Sequence, residues 1–136
     1  MKVIEGHITS PFGGRQDPIN GNKTTHQGID IAAPRGSSVR AAANGVVSSI
    51  YNHPTGGLTL ILRSECGLIR FGMCHLDEVL LDEGCKVRKG EVVALSGNSG
   101  RSTGAHLHFS VKTGGRWSGE VYIGGKFVDG TKYLEL

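Results

Sequence analysis

At 136 residues, with 38% hydrophobic and 20% charged side chains, the chain can close one domain around its own core and is short for two. Its 22 glycines follow no fixed period, which excludes a collagen helix, and no apolar run approaches the length of a membrane-spanning segment. A formal charge of +3, with Lys and Arg scattered and not interleaved with aromatic residues, excludes an obvious nucleic-acid interface and leaves a weak attraction to anionic surfaces.

In chain order, MKVIEGHITSPFGG opens with one lysine and lacks the apolar stretch of a signal peptide. We expect one domain over residues 1–136 that leaves the cell by a separate route or belongs to a longer chain. Residues 10–28, SPFGGRQDPINGNKTTHQG, mix Pro, Gly, Asn and Asp so densely that they predict a long loop, of the kind that often carries function. IDIAA, SSVRAAANGVVSSIYN, LTLILRS, LIRFGM, EVVALSG and HLHFSVK are rich in β-branched residues with partial alternation and predict strands. HLDEVLL suits one helical turn, and DEGCKVRKGEVVALSG a hairpin or loop leading into a strand. In EVYIGGKFVDG, Gly124-Gly125 predicts a type I′ hairpin turn, which needs positive φ at both central residues. The fold class is therefore all-β: a compact antiparallel sheet or barrel-sandwich with little helix. Cys66, Cys74 and Cys85 form no C-x-x-C pair and no even set, so we expect small buried residues or free thiols before a disulfide.

Six histidines carry the chemistry. In a strand, side chains alternate faces, so His106 and His108 project together while Leu107, Phe109 and Val111 anchor the opposite face. Upstream, His26 and Asp30 are four apart, a spacing that keeps them together in either an extended or a helical segment. Two imidazoles and one carboxylate form a three-ligand set with a fourth position left for water, the layout of catalytic zinc, and nitrogen with oxygen suits Zn²⁺ better than Ca²⁺ or Mg²⁺. His75 ends the strand-like FGMCH; alone it is better explained by a structural role, but beside a metal it can share proton transfer and oxyanion stabilisation with His106. His7 and His53 sit in turn-like surroundings and read as exposed bystanders.

SPFGGR, HQGIDIAAPRGSSVRAAANGVV, CHLDEVLLDEGCKVRKGEVVALSGNSGRSTGAHLHFSV and FVDGTKYL follow one another in this order, and together they resemble the lysostaphin-type (LytM-like) zinc metallopeptidase family from about Ser10 to Leu134. The resemblance implies a narrow groove, one zinc per chain on His26, Asp30 and His108, catalytic roles for His75 and His106, and hydrolysis of peptide bonds in bacterial peptidoglycan. It implies an extracytoplasmic setting, in cell wall, periplasm or virion, and a monomer or a part of a larger assembly. A narrow cleft favours slim, glycine-rich or D-configured peptides. Gly104 then lets the backbone close on substrate, whereas Gly97 and Gly100 are more simply turn residues. Arg15 either orients a substrate carboxylate or braces its loop, and Asn20 or Asn22 can reach the metal's open position.

The chain departs from the family pattern at Met73, where an aromatic residue is usual, at Leu58, at Ser110 in place of Glu, and at Gly130 in place of Pro. None is an expected ligand; groove shape and substrate preference are what they affect. Two alternatives come from other classes. One is a metal-free relative that binds wall or activates a hydrolase, but such relatives lack ligands that are all present here. The other is a lipoyl- or biotinyl-type carrier, suggested by EGCKVRKGEVVALSG, which has no use for clustered histidines.

Overall fold

The computed structural model describes residues 1–16, 23–102 and 104–136, with the backbone alone for 14–16 and 23–25. Its strands are β1 (His7–Ser10), β2 (Gly13–Gln16), β3 (Lys23–His26), β4 (Ile29–Ala32), β5 (Ser38–Arg40) and β6 (Gly45–His53). There follow β7 (Gly57–Ser64), β8 (Ile69–Val79), β9 (Lys86–Val87), β10 (Val92–Ser96), β11 (His106–Ser118) and β12 (Val121–Val128), then one 3₁₀ turn at Thr131–Tyr133. The main antiparallel sheet runs β1-β4-β11-β8-β7-β6-β9; β12 extends β11, β10 joins β8, and β5 joins β10. The all-β expectation holds. Among the described residues no helix is long and apolar enough to cross a membrane.

Four local expectations change. Residues 10–28 are not one loop, because β2 and β3 pair in register from Gly13↔His26 to Gln16↔Lys23. HLDEV is strand, not helix: Leu76, Glu78 and Val79 pair with Ser96, Leu95 and Ala94 of β10, and so short a segment cannot nucleate a helix against a waiting partner. The stretch from Ser37 to Asn52 divides into β5 and β6, separated by Ala41–Asn44. Gly124 and Gly125 do have positive φ, 71° and 78°, but inside β12, where Gly124 faces Gly115; the reversal lies at Gly119-Glu120, between the paired Ser118 and Val121. The three cysteines are free, with Cys66 exposed and Cys74 and Cys85 half-buried.

What positions the site is the pleat of three adjacent strands. Leu60 and Leu62 of β7, Phe71 and Met73 of β8, and Leu107, Phe109 and Val111 of β11 are fully buried on one face. Phe71 stacks on Phe109 at 6.1 Å and meets the edge of Tyr133 at 5.2 Å. The intervening residues, Thr59 and Ile61, Gly72 and Cys74, His108 and Ser110, turn to the other face and line a groove of about 360 Å³. One strand thus anchors and presents at once. Phe109→Ala should cost about 3–5 kcal/mol through the cavity it leaves, read as a lower urea midpoint with unchanged slope.

Candidate active site

Asp30 on β4, His106 and His108 on β11, His75 on β8 and His26 at the end of β3 converge at one end of this groove. The register makes the meeting: His108 is opposite Asp30 on one side and Cys74 on the other. His26 is not in the same strand as Asp30, because Gln27 and Gly28 turn the chain between them; even so, His26 Nε2 is 3.4 Å from Asp30 Oδ2. His108 Nδ1 is 2.8 Å from Asp30 Oδ1, and His106 Nε2 is 3.8 Å from the same oxygen. His75 and His106 rings lie 4.6 Å apart, His75 and His108 rings 6.4 Å. Ligand atoms of His26, Asp30 and His108 all lie within 4.8 Å of one another, so they can hold one metal ion.

Backbone carbonyls orient three of the imidazoles. Nδ1 of His26 is 3.0 Å from Pro11 O, that of His75 is 2.7 Å from Ser99 O, and that of His106 is 2.8 Å from Gly104 O. A carbonyl can only accept, so each Nδ1 carries its hydrogen and each neutral ring keeps its lone pair on Nε2. That nitrogen is the one turned to Asp30 in both His26 and His106.

His75 adds a backbone peculiarity. Its φ of 63° is the one positive value among non-glycine described residues. It sits where the pairing of β8 slips against β7, between Met73 and Leu76, and its N–H donates to Gly56 O at 2.7 Å. The bulge re-aims the side chain toward His106, at a conformational cost of about 1–3 kcal/mol. Burial pushes the His75 imidazole below its ordinary value; the Ser99 hydrogen bond opposes this, and the His106 and His108 charges add to it. For Asp30, burial pulls upward, but the His108 hydrogen bond and the charges of His108, His26 and His106 together hold the carboxyl below its usual range.

Of the remaining expected site residues, Gly104 is exposed, and a Cβ there would meet nothing within 4 Å, so substrate can approach its backbone. Arg15 lies on β2 opposite Thr24, with its side chain outside the described residues; Asn20 and Asn22 also lie outside them. Gly97 and Gly100 serve packing, since a Cβ would strike Asp77 from the first and the Gly57 backbone from the second. Sequence reasoning missed Tyr51, His53, Cys74 and Arg70, all of which line the groove. His53 is exposed as expected, but its Nδ1 also accepts the N–H of Thr55 and of Gly56 at 3.1 Å, shaping the rim. For Cys74 and Arg70 the signal was present: both share the face of Gly72 by simple alternation.

Two imidazoles and a carboxylate gathered at the end of a groove, with two further imidazoles beside them, make the layout of a metallopeptidase. The chain belongs to peptidase family M23, whose profile matches residues 24–119 and so spans all five clustered residues. A peptidoglycan DD-endopeptidase, ShyB, of Vibrio cholerae is 37% identical over 105 residues, 76% of this chain and 24% of that protein. A solved zinc-containing peptidase from Vibrio cholerae aligns over 87% of this chain and 35% of its own, at 33% identity and a TM-score of 0.73. The catalytic domain of lysostaphin from Staphylococcus simulans aligns over 96% and 93%, at 25% identity and a TM-score of 0.78. The chain spans about a quarter of the length of the curated relatives it matches.

Two outcomes follow from the geometry. At Gly28 a Cβ would lie 2.7 Å from the His108 ring and from Phe109 O, so Gly28→Ala should displace His108 and weaken metal binding at least tenfold, measured by titration with a competing chelator. A histidine with a depressed folded pKa takes its proton more readily when unfolded, so stability falls as pH drops through the unfolded value near 6.5 and levels off below the folded one. Asp30 acts in the same direction at lower pH, where its carboxylate is finally protonated. In metal-free protein, urea midpoints should therefore drop between pH 7 and 5. His75→Asn, which tolerates the left-handed backbone, should flatten that drop.

Proposed function

We propose that this chain is a single zinc-dependent endopeptidase domain, residues 1–136, that hydrolyses peptide crosslinks or bridges of bacterial peptidoglycan. The observation that carries the reading is the convergence of His26, Asp30 and His108 beside the paired His75 and His106. The donor set fits the ion: two nitrogens and one oxygen suit Zn²⁺, three protein ligands are what a catalytic site uses, and Pro11 O orients one ligand from behind. The names of the relatives support the substrate and the metal. We place action outside the cytoplasm, where peptidoglycan lies, with one zinc per chain.

When bound, the ion supplies Lewis acidity to the scissile carbonyl and to the attacking water. The chain's own residues do the rest. His106, with Nδ1–H held by Gly104 O, offers the Nε2 lone pair as general base for the water proton. His75, kept neutral by burial and held by Ser99 O, shares that work, steadies charge developing on the carbonyl oxygen and helps return a proton to the departing amine. Asp30 stays ionised and binds rather than transferring protons. Gly104, open to solvent, admits the peptide backbone, and Arg15 and Asn20 are proposed as substrate contacts on the strength of the family resemblance alone.

Metal analysis should give about one zinc per chain, and His108→Ala should lose the metal and at least roughly a thousandfold in peptidoglycan hydrolysis while remaining folded by circular dichroism. Zinc-loaded wild type that releases no new amine from purified peptidoglycan would overturn the proposal.

A further inference from the structure

Beyond the histidines, the groove face carries a row of cations. Arg63 on β7 is paired with Arg70 on β8, and Arg70 with Lys112 on β11. All three point away from the core, since Leu62, Phe71 and Val111, one position along each strand, are buried within it. Like charges set directly opposite in a sheet are destabilising, so the row needs compensation. Its outer members have some: the Arg63 guanidinium lies 5.4 Å from the Trp117 ring centre, and Lys112 Nζ lies 4.8 Å from that of Phe127. The side chain of Arg70, in the middle and half-buried, has no hydrogen bond, ion pair or ring contact among the described residues.

Arg70 also lines the groove. Its Nη1 is 3.6 Å from where a Cβ on Gly72 would sit, so the guanidinium folds back along the floor toward Cys74 and His108. Gly72 and Cys74 are two strand positions apart, about 7 Å. Arg101 lines the same groove, and apart from Asp30 at its histidine end no Asp or Glu does so among the described residues. A half-buried planar fork with no anionic partner among the described residues, in a stretch of groove where none of them offers a carboxylate, is built to receive one.

We propose that Arg70 is a carboxylate receptor, through which the groove selects peptides bearing a free carboxylate about two residues from the scissile bond over uncharged glycine strands. The inference rests on reading the chain as a peptidase. Binding such a group relieves the repulsion along the cation row, so affinity gains both from the new ion pair and from the strain that it removes. A glycine strand has no group that does either.

Two synthetic crosslinked peptides identical except for carboxylate or carboxamide at that residue provide the test. Calorimetry with metal-free protein should show the carboxylate form binding roughly tenfold tighter or more. With zinc-loaded enzyme the preference should appear mainly in KM. Arg70→Gln should bring the two peptides to within about twofold of each other in binding, and Arg70→Lys, which keeps the charge without the fork, should retain part of the difference. Equal binding of both peptides to wild type overturns the inference, as does a loss in Arg70→Gln that affects both alike. Preferential binding without cleavage of either peptide would instead remove the peptidase reading and leave Arg70 as the receptor of a peptide-binding groove.

Discussion

The antiparallel register that puts His108 between Asp30 and Cys74 is the constraint on which the rest of the molecule depends. Strand pairing fixes which backbone positions meet, and the pleat fixes which way each side chain leaves, so a slip of one residue in β11 would exchange the two faces. His106 and His108 would enter the core, and Leu107 and Phe109 would face the groove. Burial of Leu107, Phe109 and Val111 therefore holds the metal-binding geometry as directly as any contact within the site. Each apolar side chain contributes about 1.5–3 kcal/mol to keeping that register, more than an individual contact between exposed polar groups offers.

Around this frame the imidazoles are oriented by groups that cannot change protonation. Pro11, Ser99 and Gly104 all present backbone carbonyls, which accept a hydrogen bond at any pH. Carboxylates in those places would bind the histidines more tightly, but would also raise their pKa values and favour the imidazolium, a form that neither ligates nor accepts a proton. The arrangement keeps charge on Asp30 and lone pairs on the rings. His75 shows what the geometry costs: a left-handed backbone and a bulge are retained because they aim one ring at its neighbour.

The strands and the clustering of four of the five candidate site residues were legible because period-two alternation acts locally: HLHFSV states its two faces, and IDIAA places Asp30. His75 needed the resemblance, since nothing near a lone histidine reveals the bulge that turns it. Failures came where partners decide. LDEV carries a weak helical preference that β10 overrides, and Gly124-Gly125 shows the φ values of a hairpin turn at a place where the register has already put a strand. The hairpin of β2 and β3 was hidden by Gly and Asn that signal turns without saying how far apart they stand. Arg70 was legible in principle, but its meaning depends on Arg63 and Lys112, which are remote in sequence and adjacent only through pairing.

That cation row bears on why the rung between it and the histidines is built from small residues. Gly72 and Ser110 are paired between the Cys74–His108 and Arg70–Lys112 rungs, and both are small. A carboxylate in place of Ser110 would stand one rung from Arg70 and neutralise it from within, leaving the groove complete without an anionic ligand. A hydroxyl there preserves polarity while leaving the guanidinium without a carboxylate at that rung, and Gly72 admits the hydroxyl, since a Cβ on it would meet Ser110 Oγ at 2.6 Å. The same small residues that lie beside the clustered histidines therefore leave the groove's positive charge in place, so under the proposed reading shape and electrostatics act together on the choice of substrate.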